Sequence, residues 1–161
     1  MSAVRPADNP FASHCIDGLA FRASGFESSD LPARLRQLGG RAAIVGPEGS
    51  GKTTLLEELA SHLRDQAIVV RLPGSCPQPW ATARDQLPNE LSAGHTVLVD
   101  GGEQLGALAW QRLLRRTSTA GGLIATRHRP GRLPTLVECR TDLELLGELV
   151  ATLAPDLTPG L

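Results

Sequence analysis

Residues 46–53 read GPEGSGKT and place every constrained letter of the pattern G-x-x-x-x-G-K-[ST]. Glycines at this spacing let the backbone curl until successive N–H groups point into one concavity, and a helix starting directly afterwards adds the positive end of its dipole. The chemistry is the cradling of a polyphosphate. Gly46, Pro47, Glu48, Gly49, Ser50 and Gly51 would supply the backbone of the cradle, and Lys52 would reach the β- and γ-phosphate oxygens. The Thr53 hydroxyl would ligate Mg²⁺, and Thr54 would line the α-phosphate side. Lys52 is also the sole lysine among 16 basic residues. Arginine replaces lysine freely on a solvated surface, whereas a planar guanidinium would crowd a nest built around a compact ammonium.

Such a loop works only between a strand and a helix, and the flanking sequence supplies both. RAAIVG (41–46) is a short apolar run closed by glycine, and KTTLLEELASHLR puts Leu55, Leu56, Leu59, Ala60 and Leu63 on one helical face. AIVVRL (67–72), TVLVD (96–100), GLIAT (122–126) and LVECR (136–140) read as further strands. Helices are expected at about 80–93, from Glu103 to Arg116, and at 142–154. Upstream, Asp17-Gly18 predicts a small hairpin over 13–16 and 19–26. Ser29, Asp30 and Pro32 start a short helix in LPARLRQL, closed by Gly39-Gly40. Strands alternating with helices imply an α/β fold with a parallel sheet covered on both faces.

With the loop, its strand and its helix in place, the chain resembles the P-loop NTPases over roughly residues 41–154. The resemblance implies a three-layer α/β/α fold with a parallel sheet ordered 5-1-4-3-2, and a second motif formed by an apolar strand ending in aspartate. HTVLVDGGEQL supplies that motif, so Asp100 is implied to hold Mg²⁺ through water. No N/T-K-x-D tetrapeptide is present, which argues against a guanine-specific GTPase. A strand between the two motif strands, with another after them, is similar to the division containing AAA-type and ABC-type ATPases. There a glutamate usually follows the aspartate to polarise the attacking water, but Gly101 stands here instead.

Glu103 is the nearest candidate base, with a helix-start acid as the alternative. The string LIATRH is similar to the strand before the switch histidine of ABC ATPases, although the LSGGQ signature is absent. It nominates Thr126 as a γ-phosphate sensor and His128 as a γ-phosphate contact, against a solvated strand-end loop. Arg127, Arg129 and Arg132 lie where open α/β sheets bind ligands and would neutralise a transferred phosphoryl group, or form a basic surface loop. Arg112, Arg115 and Arg116 read as a solvated helix face. Phe21 or Phe26 stands at a distance suited to stacking on a base, with hairpin packing as the alternative, and Trp80 and Trp110 read as packing residues.

Composition sets the outer bounds. The 161 residues suit a single domain, with 1–40 as hairpin and short helix, 41–154 as nucleotide-binding core and 155–161 as a loose tail. At 41% hydrophobic and 20% charged, with mean hydropathy −0.08, the chain can build a core. No apolar run approaches the roughly 20 residues of a membrane span. The N-terminus has no secretory h-region, so a cytoplasmic place without membrane partners is expected. Cys15, Cys76 and Cys139 are an odd number without C-x-x-C spacing and predict buried free thiols rather than a zinc or disulfide framework. The net charge of −1 conceals a segment, 104–137, with six arginines and no acid, which leaves the rest at −7.

The expected function is therefore ATP binding with Mg²⁺, and hydrolysis to ADP and phosphate. Two competitors stay open. One is a small-molecule kinase with an arginine lid at 127–132 and an acceptor pocket over 73–90. The other is a non-hydrolysing ATP-dependent switch or adaptor, which Gly101 favours. A protein partner or self-association is compatible with all three. Nucleic-acid loading is the weakest alternative, because the arginine segment lacks interleaved aromatics.

Overall fold

Five short strands, each flanked by glycine, proline or a helix end, pair into one parallel sheet in the computed structural model of the chain. They are β1 (Arg41–Val45), β2 (Ala67–Arg71), β3 (Thr96–Asp100), β4 (Gly122–Arg127) and β5 (Thr135–Glu138). Their order across the sheet is β2-β3-β4-β1-β5, the order the resemblance implied. The structure describes residues 31–139. The predicted hairpin, Cys15, the three phenylalanines, the helix at 142–154 and the loose ends lie outside the described residues.

The side-chain alternation of the strands divides the apolar residues between two faces. On one face Ala42, Ile44, Leu98 and Ile124 meet Leu55, Leu56 and Leu59 of α2 (Lys52–Leu63). Leu35 and Leu38, from α1 (Leu31–Gln37) and the turn after it, pack at its margin. On the other face Val70, Val97, Val99, Leu123 and Ala125 meet Ala83 of α3 (Pro79–Gln86) and Trp110 and Leu113 of α4 (Ala107–Arg116). Each fully buried leucine or isoleucine of these layers contributes about 1.5–3 kcal/mol of transfer free energy. The result is the expected three-layer α/β/α sandwich, and it turns the carboxyl ends of β1, β3 and β4 toward one edge.

Three elements depart from the sequence reading by two residues or more at one end. The helix expected over 80–93 stops at Gln86, because Leu87 precedes Pro88 and adopts extended backbone (φ −86°, ψ 134°). The helix expected from Glu103 breaks in two. A 3₁₀ turn covers Gly102–Gln104, Leu105 is extended, and α4 begins only after Gly106. The last strand begins one residue early and ends at Glu138, with an irregular register opposite Ala43 and Ile44 of β1.

Side chains also tie the layers together. Gln86 accepts from the Arg71 N–H at 2.9 Å and donates to the Arg71 carbonyl at 3.0 Å, anchoring α3 to β2. Arg71 in turn pairs with Glu57 of α2 at 2.7 Å. No helix among the described residues is long and apolar enough to cross a membrane.

Candidate functional site

The loop between β1 and α2 closes on itself. Gly49 (φ 75°) and Gly51 (φ 81°) take left-handed conformations that side chains with a Cβ rarely adopt. Gly46 has a different constraint: a Cβ there would stand 2.4 Å from the Cys139 carbonyl oxygen and 2.5 Å from Ser50 Oγ. Pro47, Glu48 and Gly49 form the exposed crest, and Ser50 is buried beneath it, donating to the Pro47 carbonyl at 2.8 Å. Lys52 is only 8% exposed, and its Nζ donates to the same carbonyl at 2.6 Å. The sole lysine of the chain is thus held inside the loop's curl. Thr54 follows in the first turn of α2 and is half-buried.

Across from the loop, the end of β3 brings the second motif to the first. Thr53 Oγ1 donates to the Asp100 carboxylate, 3.0 Å from Oδ2 and 3.2 Å from Oδ1. Thr126, buried at the end of β4, donates to Asp100 Oδ1 at 3.0 Å and accepts from the Gly101 N–H at 2.8 Å. A hydroxyl and a carboxylate converging at a helix N-terminus are hard oxygen donors, the set that suits Mg²⁺ when phosphate oxygens and water complete its shell. Among the described residues no cluster of three His, Cys, Asp or Glu could hold a metal by itself. The donors present therefore fit a cation shared with a phosphate ligand.

The turn after Asp100 explains why no glutamate follows it. Gly101 has φ 80°, and a Cβ there would lie 2.2 Å from the Leu72 carbonyl oxygen. A Cβ on Gly102 would stand 2.9 Å from the Thr126 carbonyl oxygen. Glu103, on the 3₁₀ turn, is then the first position past Asp100 free to carry a carboxylate. Its Oε1 lies 3.4 Å from His128 Nε2, while Oε2 is buried without a hydrogen-bond partner among the described residues. The expectation of a helix-start acid on α4 is corrected: Glu103 lies in a turn separated from that helix by Leu105 and Gly106.

The arginines divide. Arg127 stacks over the Trp110 ring, 5.2 Å from its centroid, so it lies on the α4 side of the sheet. Arg129 and Arg132 are exposed on the loop that follows. Arg112 and Arg115 are exposed on α4 as expected, whereas Arg116 reaches back to the carbonyls of Pro88 and Asn89. Residues 73–90, the expected acceptor region, form a loop and α3, whose buried side chain Ala83 packs against the sheet.

Cys139 is the neighbour of the loop that residue types did not reveal. Its N–H donates to the Val45 carbonyl at 2.6 Å, which sets its own carbonyl against Gly46. Burial pushes its thiol up from 9.0 to about 11, with the Lys52 ammonium pulling the other way. Only the strand order, with β5 beside β1, placed it there. Cys76 is also a free thiol, half-buried, with Sγ 3.1 Å from Thr82 Oγ1.

Comparison with known proteins bears on the same region. A family model described as AAA domain matches residues 35–125, more than half of the chain. The phosphonates import ATP-binding protein PhnC 2 of Pseudomonas aeruginosa (strain UCBPP-PA14) is 44% identical over 84 residues, which covers 50% of this chain and 31% of that protein. The hemin import ATP-binding protein HmuV of Rhodopseudomonas palustris (strain BisA53) is 37% identical over 104 residues, which covers 58% of this chain and 38% of that protein. The chain therefore spans about a third of the length of these curated relatives.

Proposed function

The chain belongs to the AAA domain family, a P-loop NTPase branch, and from that premise we propose that it binds Mg·ATP on residues 46–54 and hydrolyses it to ADP and phosphate. The observation that carries the reading is the hydrogen bond from Thr53 to Asp100, which joins the phosphate loop to the end of β3. The relatives' names supply ATP binding. Their import function is not carried over, because the chain spans only about a third of their length.

In the proposed mechanism the loop amides and Lys52 bind the phosphates, Nζ exchanging the Pro47 carbonyl for β- and γ-phosphate oxygens. Thr53 and Asp100 would hold Mg²⁺, which supplies neutralisation of charge on the phosphate oxygens when bound. Thr126 keeps the Asp100 carboxylate oriented through Oδ1 and would sense the γ-phosphate from there. The Glu103 carboxylate would accept a proton from the attacking water as the water oxygen bonds to the γ-phosphorus. The bond from that phosphorus to the bridging oxygen breaks, and its electron pair leaves with ADP.

Gly101 favours a second reading, a nucleotide-dependent switch that binds ATP without turnover, because the position beside Asp100 is closed to a glutamate. Incubation of the purified chain with Mg·ATP separates the two. The hydrolase releases phosphate, and Glu103→Gln lowers that release by about 10²–10⁴-fold, the usual worth of a general base, while ATP affinity persists. Tight binding with no release from the parent chain selects the switch. Unchanged release from Glu103→Gln removes Glu103 as the base.

A further inference from the structure

The outer face of α4 lies away from the nucleotide site and carries its own chemistry. The inner face of this helix turns Trp110 and Leu113 to the sheet. Leu108, Arg112 and Arg115, spaced i, i+4 and i+7, therefore share one stripe on the opposite side. Leu108 is 73% exposed, the one exposed large hydrophobic side chain among the described residues. Arg112 and Arg115 are exposed as well, and neither makes a hydrogen bond or ion pair among the described residues. Like charges three residues apart on a helix repel, so the stripe costs the isolated fold stability.

The loop after β4 adds to that face. Arg127 lays its guanidinium over the Trp110 ring, 5.2 Å from the centroid, and a Cβ on Gly131 would stand 3.9 Å from Arg127 Cζ. One stacked cation thus holds the loop 128–132 against α4. Arg129 and Arg132 are exposed on this loop, again with no ion pair among the described residues. No acid occurs in the whole segment 104–137, so the face has no counter-charge in its own stretch of sequence.

We propose that this face docks an acidic protein segment bearing an apolar side chain. Its carboxylates pair with Arg112, Arg115, Arg129 and Arg132, and its apolar side chain covers Leu108. Nucleic acid fits less well. Single strands are held by stacking on exposed aromatics as well as by charge, and Trp110, the aromatic of this helix, is 6% exposed with Arg127 over its ring. Leu108 likewise offers nothing to a phosphate backbone. Every residue of the face lies outside the phosphate loop, so docking needs neither ATP nor its hydrolysis.

The test titrates the full chain into a dye-labelled peptide of about ten residues, built from glutamate and leucine, and follows fluorescence anisotropy. A peptide with glutamine in place of glutamate and a single-stranded oligothymidylate of equal length are the comparisons. The acidic peptide is expected to bind at least about 10-fold more tightly than either, and to weaken about 10-fold as salt rises from about 50 to about 200 mM. Arg112→Glu combined with Arg115→Glu should weaken it by about 10- to 100-fold, and Leu108→Ser by about 3- to 10-fold. All three side chains are exposed, so these variants keep the fold. Arg36→Glu, an equal change of charge on α1, should alter binding by less than about 2-fold. The proposal is overturned if the glutamine peptide binds equally well, or if Arg36→Glu costs as much as Arg112→Glu alone. Tighter binding of oligothymidylate overturns it in favour of a nucleic-acid surface, and unchanged binding by Leu108→Ser overturns it in favour of bare charge attraction.

Discussion

Residues 46–53 and residues 100–104 both follow a buried strand, and both turn through glycines of positive φ. They depend on the rest of the molecule in opposite ways. The first loop satisfies itself: Ser50 and Lys52 donate to Pro47 five residues or fewer away, and the cradle is complete within eight letters. The second is shaped from outside. The Leu72 carbonyl keeps Gly101 bare, Thr126 caps its N–H, and His128 meets Glu103 from the loop after β4. The proposed phosphate site is thus written contiguously, whereas the proposed water-activating site is assembled from the ends of three strands.

The sharpest way to break that comparison is to give the second turn the residue it lacks. Gly101→Glu is expected to destabilise the fold by about 2–6 kcal/mol, combining left-handed strain with a backbone clash. It should also fail to restore hydrolysis when combined with Glu103→Gln. Denaturant titration and phosphate release check the two halves, and a stable, active double variant would mean that Leu72 yields easily.

The next effect falls on the first loop. Lys52→Ala should weaken ATP binding by about 10–150-fold, the worth of charge-assisted hydrogen bonds of about 1.5–3 kcal/mol, while Tm changes little because the hydrogen bond of the ammonium among the described residues stays within its own loop. Calorimetric titration with Mg·ATP reads this directly, and micromolar binding retained at the parent value would refute the phosphate site.

The smallest effect concerns Cys139, where β5 meets the first loop. Its thiol is raised from 9.0 to about 11, so the stability it lends as a buried neutral group is full below pH 9 and lost as pH rises through 11. Two units set an upper bound of about 2.7 kcal/mol. The parent chain should therefore lose more stability between pH 9 and 11 than Cys139→Ala, as followed by unfolding midpoints. Parallel losses in both would show that the burial is not felt.

What could be read from residues alone follows the same division. The loop, its strand and its helix were legible because one contiguous pattern specifies all three, and the strand order followed from the resemblance. The sequence reading carries α3 to about residue 93, past the break that Pro88 imposes after Leu87. Glu103 was legible as a candidate base, but not its turn or its partner, because His128 lies twenty-five residues away and depends on the strand register. The position of Cys139 and the stacking of Arg127 on Trp110 were hidden for the same reason.

The grip of Gln86 on Arg71 has a consequence for how the chain behaves among its neighbours. Among the described residues β2 ends the sheet on one side, and because the Leu72 N–H donates inward to Asp100, the amide and carbonyl of Arg71 face outward. An outward row of unpaired backbone groups is a template on which another extended chain can polymerise. Gln86 imitates the missing strand at that row's last rung, filling donor and acceptor together. One amide side chain thereby closes the last rung of that edge as a cap closes the end of a fibre.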